Sequence, residues 1–313
     1  MVMIPYSGDY SLRSFIVFTA ALALAACTGE EGPYTVLASW HTVTSPSDSL
    51  KEPMGLAVDE DGFVYVTDAR AARVIKYTTD GRFVLAWGGS GQTPSVLSRP
   101  IDIALGEDGL VYVVDFDLDQ VVVFTTEGEF LRAWGSAGEA PGQFSSPSGI
   151  AVGAGGDFYI TDFQNHWIHV FDKDGEFLKV LGQEGHNDGQ VYYPTDVAFD
   201  RSGNIYVADA YNHRVQKWSP DGGFLYAWGS QGNAPDQFDV PVGIAVDDRG
   251  RIYVADSGNR RIVVRDSEGN VVTTWDLSDD AHPETHSPAR VVAWKQRLYV
   301  ADPANSRVIV LGR

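Results

Sequence analysis

The sequence predicts an all-β protein, a closed six-bladed β-propeller of four-stranded antiparallel blades, and three observations predict it. Prolines stand at positions 53, 100, 147, 194, 241 and 288, so that the spacing of 47 residues never slips. Behind each proline, short apolar segments alternate with Gly-containing turns, the pattern of successive strands. Repeats of about 40–50 residues with four strands apiece are the signature of blades stacked around an axis, each sheet covering its neighbour's apolar face.

The elements follow in order within each repeat. An inner strand comes first: GLAV from Gly55, DIAL from Asp102, GIAV from Gly149, DVAF from Asp196, GIAV from Gly243 and RVVAW from Arg290. The second strand ends in an aspartate, at positions 68, 115, 162, 209, 256 and 302. A third strand opens on Arg73, Arg214, Arg261 or Arg307, five residues past its aspartate. Arginine and aspartate are expected to pair there, and the carboxylate is expected to accept N–H groups of the following turn, which offsets its burial. An acidic residue and a glycine (Gly81, Gly128, Gly175, Gly222, Gly269) then turn the chain into a fourth strand bearing Trp87, Trp134, Leu181, Trp228 or Trp275. The last repeat stops after its third strand. Trp40 lies 47 residues before Trp87, so the segment 35–40 is expected to complete the last blade by pairing with the strand near Arg307–Leu311. Closure of this kind removes the exposed edges of an open array.

Composition bounds function. Hydrophobic residues make up 44% of the 313, enough for a large core. Lys and Arg number 23 against 42 Asp and Glu, a net charge of −19, which excludes a phosphate-tracking surface and with it nucleic acid as a partner. Half of the acids belong to the repeating turns and strand ends, which leaves the face carrying those turns strongly negative. The single cysteine excludes a disulfide framework and a multi-cysteine metal site.

Two resemblances extend this reading. The pattern P-x-G-I-A-V, Y-V-A-D, N-H-R, acidic–Gly, W-G resembles the NHL repeat over residues 34–313. Asn212-His213-Arg214 matches literally and Asn259-Arg260-Arg261 nearly so, whereas Ala71-Ala72-Arg73 and Leu118-Asp119-Gln120 depart. The resemblance implies a six-bladed propeller and says little of activity, because such folds host many functions. At the N-terminus, Phe15 to Ala26 is an apolar run of 12 residues, about 18 Å as a helix against a hydrocarbon core of about 30 Å, too short to span. Leu24-Ala25-Ala26-Cys27 resembles the lipobox of bacterial lipoproteins. This implies a signal peptide over 1–26, lipid attachment at Cys27 and a short tether over 27–33. The implied location is extracytoplasmic, anchored to a bacterial membrane by lipid alone, at the periplasmic face of the outer membrane or the cell surface in a Gram-negative envelope.

Candidate function sits on the face opposite the acidic turns. Two residues after each proline the chain reads Gly55, Asp102, Gly149, Asp196, Gly243 and Arg290. Charges therefore occupy alternate blades, and Asp102, Asp196 and Arg290 are expected to converge at the channel mouth, to bind a polar ligand or to neutralise one another. Phe116, Phe163, His166, Tyr211 and His213 fall in turns around them, and Tyr192 and Tyr193 in a blade connection; a rigid aromatic rim of this kind suits a protein, peptide or glycan. Phe144 and Phe238 are expected to be packing residues. The reading is a non-enzymatic binding or scaffold protein without catalytic residues, metal or cofactor. The alternative is an enzyme using the same mouth, lyase or calcium-dependent lactonase-like hydrolase, with Asp102 and Asp196 as the calcium candidates. The residues following the prolines are Met54, Ile101, Ser148, Thr195, Val242 and Ala289, so the histidines of a zinc lyase are missing there.

Overall fold

The computed structural model describes residues 34–41, 49–89, 97–277 and 287–312. Cys27 and the segments 1–26 and 27–33 lie outside the described residues.

Six four-stranded antiparallel sheets form a six-bladed β-propeller. The inner strands are Pro53–Val58, Pro100–Leu105, Pro147–Val152, Pro194–Phe199, Pro241–Val246 and Val291–Trp294, the last beginning one residue past Arg290. The ring closes as the sequence predicts. The N-terminal strand Thr35–Trp40 pairs antiparallel with the C-terminal strand Arg307–Gly312, from Thr35 opposite Gly312 to Trp40 opposite Val308.

The core is six clusters, one between each pair of neighbouring blades. At the closure Trp40 packs 5.5 Å from Tyr77 of the first blade and 5.7 Å from Tyr299 of its own sheet. The same arrangement explains why glycine and tryptophan recur together. The acidic–Gly turn of blades one, two, three and five lies against the outer-strand tryptophan of the blade before it, and that of blade four against Leu181. A Cβ on Gly128 would stand 2.7 Å from Cγ of Trp87, and one on Gly175 2.8 Å from Cγ of Trp134. The turn thus needs glycine both for its positive φ and for the room.

The inner strands of blades one to five begin with an irregularity. In blades two to five the pairing shifts between the proline and the residue two positions on, a bulge that re-aims side chains. Its effect is to turn the residue after the proline towards the mouth and the next one onto the axis.

Candidate functional site

On the axis, three side chains fill a layer that has no room for six. Glycine occupies the alternate positions because a neighbouring backbone stands where its Cβ would be: 2.5 Å from the Asp102 Cα for Gly55, 2.7 Å from the Thr195 carbonyl oxygen for Gly149, and 3.0 Å from the Arg290 Cα for Gly243. Into the freed space project Asp102, Asp196 and Arg290, all buried. The structure brings these three together. The Arg290 Nε donates to Asp102 at 2.8 Å, and its two terminal nitrogens pair with Asp102 and Asp196. The remaining carboxylate capacity accepts backbone N–H groups, Ile150 to Asp102 and Ile244 to Asp196, both at 2.7 Å. Burial pushes the Asp196 carboxyl well above the usual carboxylate range, with the Ile244 and Val197 N–H groups opposing. The trio is mutually satisfied and forms a partition across the channel, with a cavity on either side that Arg290 helps to line.

The strand-end aspartates are architectural, with one correction. Their N–H donors come largely from the blade connection 16–17 residues upstream, and less from the following turn. Lys51 and Glu52 donate to Asp68, Ser98 and Arg99 to Asp115, Tyr192 to Asp209 and Asp239 to Asp256, at 2.7–3.2 Å. The following turns contribute as well: the Asp117 and Leu118 N–H groups donate to Asp115, the Asn165 N–H and side-chain amide to Asp162, and the side-chain amides of Asn212, Asn259 and Asn305 to Asp209, Asp256 and Asp302. Each carboxylate therefore ties its blade to the segment that enters it. Burial raises Asp115, Asp209 and Asp256, and these hydrogen bonds oppose the shift. The expected pairs form: Arg73 with Asp68, Arg214 with Asp209, Arg261 with Asp256 and Arg307 with Asp302, at 2.7–3.1 Å. In blade three Trp167 replaces the arginine, and the buried His169 places Nε2 3.2 Å from Asp162 while Nδ1 accepts the Gly142 N–H. Gln216 does the same work one blade on, accepting from Gly189 and donating to Asp209.

Two of the predicted rim residues have a structural task. His166 and His213 adopt left-handed backbone conformations, and the Nδ1 of each accepts a backbone N–H 27 residues ahead, from Tyr193 at 2.9 Å and Val240 at 3.2 Å. Asp119, where the sequence leaves the repeat pattern, accepts from Ser146 at 2.7 Å in the same way, so the departure preserves the contact. Burial lowers the His166 imidazole below its usual 6.5, in keeping with an acceptor that must stay neutral. Phe144 and Phe238 are fully buried packing residues.

What remains exposed is the mouth. A cavity of about 350 Å³ opens above the partition, within the size range of small-molecule sites. The six residues that follow the prolines, Met54 to Ala289, ring its wall. Its rim is asymmetric. Phe116 and Phe163 stand on blades two and three, whereas the equivalent position is Ser257 on blade five and Pro303 on blade six. The Ser257 and Ser287 hydroxyls pair at 2.6 Å on that polar side. From Phe163 the aromatic side continues outward as a shelf. Its ring lies 4.7 Å from Tyr193, which lies 4.9 Å from Tyr211; Tyr192 stacks on His166 at 4.9 Å. Of the predicted site residues, Phe163, His166, Tyr192, Tyr193 and Tyr211 thus form one patch. His213 is turned to its backbone partner one blade further on.

Sequence reasoning missed Arg99. It precedes Pro100 and lines the cavity, with its guanidinium 5.2 Å from the Phe116 ring centroid. Its neighbour in the preceding blade, Glu52, is paired with Arg70 at 3.5 Å.

Comparison with known proteins agrees with the geometry at the level of fold. Solved structures that match number 1076 chains, too many for the fold to diagnose a function. Among them are virginiamycin B lyase from Staphylococcus aureus (15% identity, TM-score 0.62, 90% of this chain and 100% of that one) and a gluconolactonase from Xanthomonas campestris (15%, 0.64, 90% and 97%). A chain of a nidogen–laminin complex also matches (20%, 0.59, 72% and 80%). No curated protein matches the sequence. The NHL repeat model matches residues 144–171, 191–218 and 238–264, the beginnings of which are Phe144, Val191 and Phe238 in the three connections that share one parallel bridge. With three blades matched directly and six built to one plan, the chain is an NHL-repeat protein folded as a six-bladed β-propeller.

Proposed function

We propose that the protein is a binding propeller of the bacterial cell envelope that holds a ligand at the channel mouth, without catalysing its conversion. The observation that carries this reading is the amphipathic mouth: a cavity over a sealed floor, aromatic on blades two and three and hydroxyl-lined opposite. Rigid aromatic side chains give large contact area for little conformational entropy, which suits a peptide, a protein segment or a glycan. The enzymatic alternative needs an acid–base set facing the ligand. Among the described lining residues the ionisable ones are Glu52, Arg99 and Arg290, of which Glu52 and Arg290 are already ion-paired.

The test is a thermal-shift and calorimetric screen of short peptides, aromatic acids and oligosaccharides against the wild type and Phe163→Ala/Tyr193→Ala. A ligand that stabilises the wild type and is weakened at least tenfold by the double variant supports the reading; turnover of that ligand, or binding indifferent to the variant, overturns it. The envelope assignment rests on Cys27 and its preceding apolar run, and mass spectrometry of the membrane fraction should find diacylglyceryl on that cysteine. Cys27→Ser should release the protein to the soluble fraction.

A further inference from the structure

The geometry points to an anion-reading guanidinium at the mouth: we propose that Arg99 receives a carboxylate whose apolar body lies in the cavity beside Phe116 and Phe163. The inference rests on the mouth being the ligand site and adds the ligand's chemical class.

The argument begins with charge. In a chain of net charge −19, many arginines find carboxylates, while Arg132, Arg265 and Arg297 donate to backbone carbonyls. Arg73, Arg214, Arg261 and Arg307 pair with strand-end aspartates, Arg70 with Glu52, Arg201 with Asp248, and Arg290 with two carboxylates at once. Arg99 differs. Its backbone N–H is bound by Asp115, which fixes the Cα. Its side chain is half-buried in the cavity wall with the Phe116 face beneath it, and among the described residues no carboxylate pairs with it. A guanidinium set over an aromatic ring and free of a carboxylate partner keeps N–H donors available, the fork that binds carboxylates bidentately.

The surroundings narrow the class further. Apolar side chains (Met54, Ile101, Val242, Ala289) form most of the wall below Arg99, and the floor is closed by the partition. A bare inorganic anion would leave that apolar wall in water. A carboxylate carrying an aryl or alkyl body covers it while its charge stays at the rim. The overall negative field repels anions at a distance, so affinity has to come from contact with this one group.

Two sources share this chemistry, a free aromatic acid and the C-terminus of a peptide. The probes are N-acetylphenylalanine, its neutral amide, and a hexapeptide ending in phenylalanine as free acid or amide, titrated calorimetrically into the full chain and into Arg99→Gln. The expected result is at least tenfold preference for acid over amide in the wild type, abolished by Arg99→Gln without loss of amide affinity. Preference shown by the small probe identifies a free acid, and preference shown only by the hexapeptide identifies a chain terminus. Equal binding of acid and amide, unchanged by Arg99→Gln, overturns the proposal and leaves the mouth as a ligand site. Binding of the acids that ignores both Arg99→Gln and Phe163→Ala/Tyr193→Ala overturns the mouth reading as well. An unfolding midpoint of Arg99→Gln matching the wild type excludes misfolding as the cause.

Discussion

Arg290 shows how one residue can be indispensable without being stabilising in itself. It holds two buried carboxylates, and removing a single partner from such a group leaves uncompensated charge, a loss of about 3–5 kcal/mol. Arg290→Met should therefore lower stability by that order in urea unfolding. Removing all three charges in Asp102→Ala/Asp196→Ala/Arg290→Met should recover most of the loss, since no charge is left stranded. Glycine at the alternate positions is equally constrained. Gly55→Ala puts a methyl 2.5 Å from the Asp102 backbone, and overpacking of this kind costs about 1–3 kcal/mol. His166 provides a pH test. Burial holds its folded-state pKa below the 6.5 of the free side chain, so the unfolded chain binds the proton more tightly. The resulting penalty is absent above pH 6.5 and grows as pH falls through the interval down to the folded value. An NMR titration should place the His166 midpoint below 6.5, with loss of the Tyr193 amide's protection on protonation.

At the scale of the element, the outer strands repay attention because they were the most legible in sequence and yet carry the closure. Trp40, Trp87 and Trp228 recur because each fills the same inter-blade site under a neighbour's acidic–Gly turn. Trp40→Ala and Trp87→Ala should each cost about 3–5 kcal/mol, the range for burying and then losing a large aromatic. Only Trp40→Ala should also loosen the N-terminal strand, seen as faster amide exchange at Val308 and Val310, which face it in the closing sheet. Deleting 306–313 removes the partner strand and should yield an aggregating chain, detected by light scattering, because the N-terminal strand and the strand Arg297–Asp302 then present unpaired edges. Every strand and its partner could be read from the period of 47, since each blade must solve the same packing problem. The blade connections could not. Their N–H groups bind strand-end aspartates 16–17 residues away, a link that leaves no periodic apolar trace and was expected in the following turn.

For the whole molecule, the site was legible in part, and the division has a physical cause. Alternation of Gly55, Asp102, Gly149, Asp196, Gly243 and Arg290 announced convergence on the axis, because a symmetric ring forces equivalent positions together. Whether convergence means binding or mutual neutralisation depends on distances that a sequence does not contain. The aromatic shelf was visible as residue types in turns. Arg99 was invisible, since its distinction is to stand without a carboxylate in the cavity wall over the Phe116 ring, and such a property exists only in three dimensions. The same excess of acid sets the behaviour of the entire fold. Repulsion among the exposed acidic turns weakens as salt shortens the Debye length from about 30 Å at 0.01 M to about 8 Å at 0.15 M. The unfolding temperature should accordingly rise between those two conditions in a calorimetric scan, and should fall in the opposite direction if buried ion pairs dominate the response.

The direction of the N-terminal strand carries one more consequence. It runs antiparallel to the C-terminal strand, so Thr35 begins beside Gly312 and Trp40 ends beside Val308, near the turn that follows Asp302 on the ligand side. The polypeptide consequently enters the ring from below, among the carboxylate-rich hairpins, and the bowl opens at the far pole. A ligand therefore meets the bowl at the pole opposite the one where Thr35 begins the closing sheet, so the closing strand does not stand in its path.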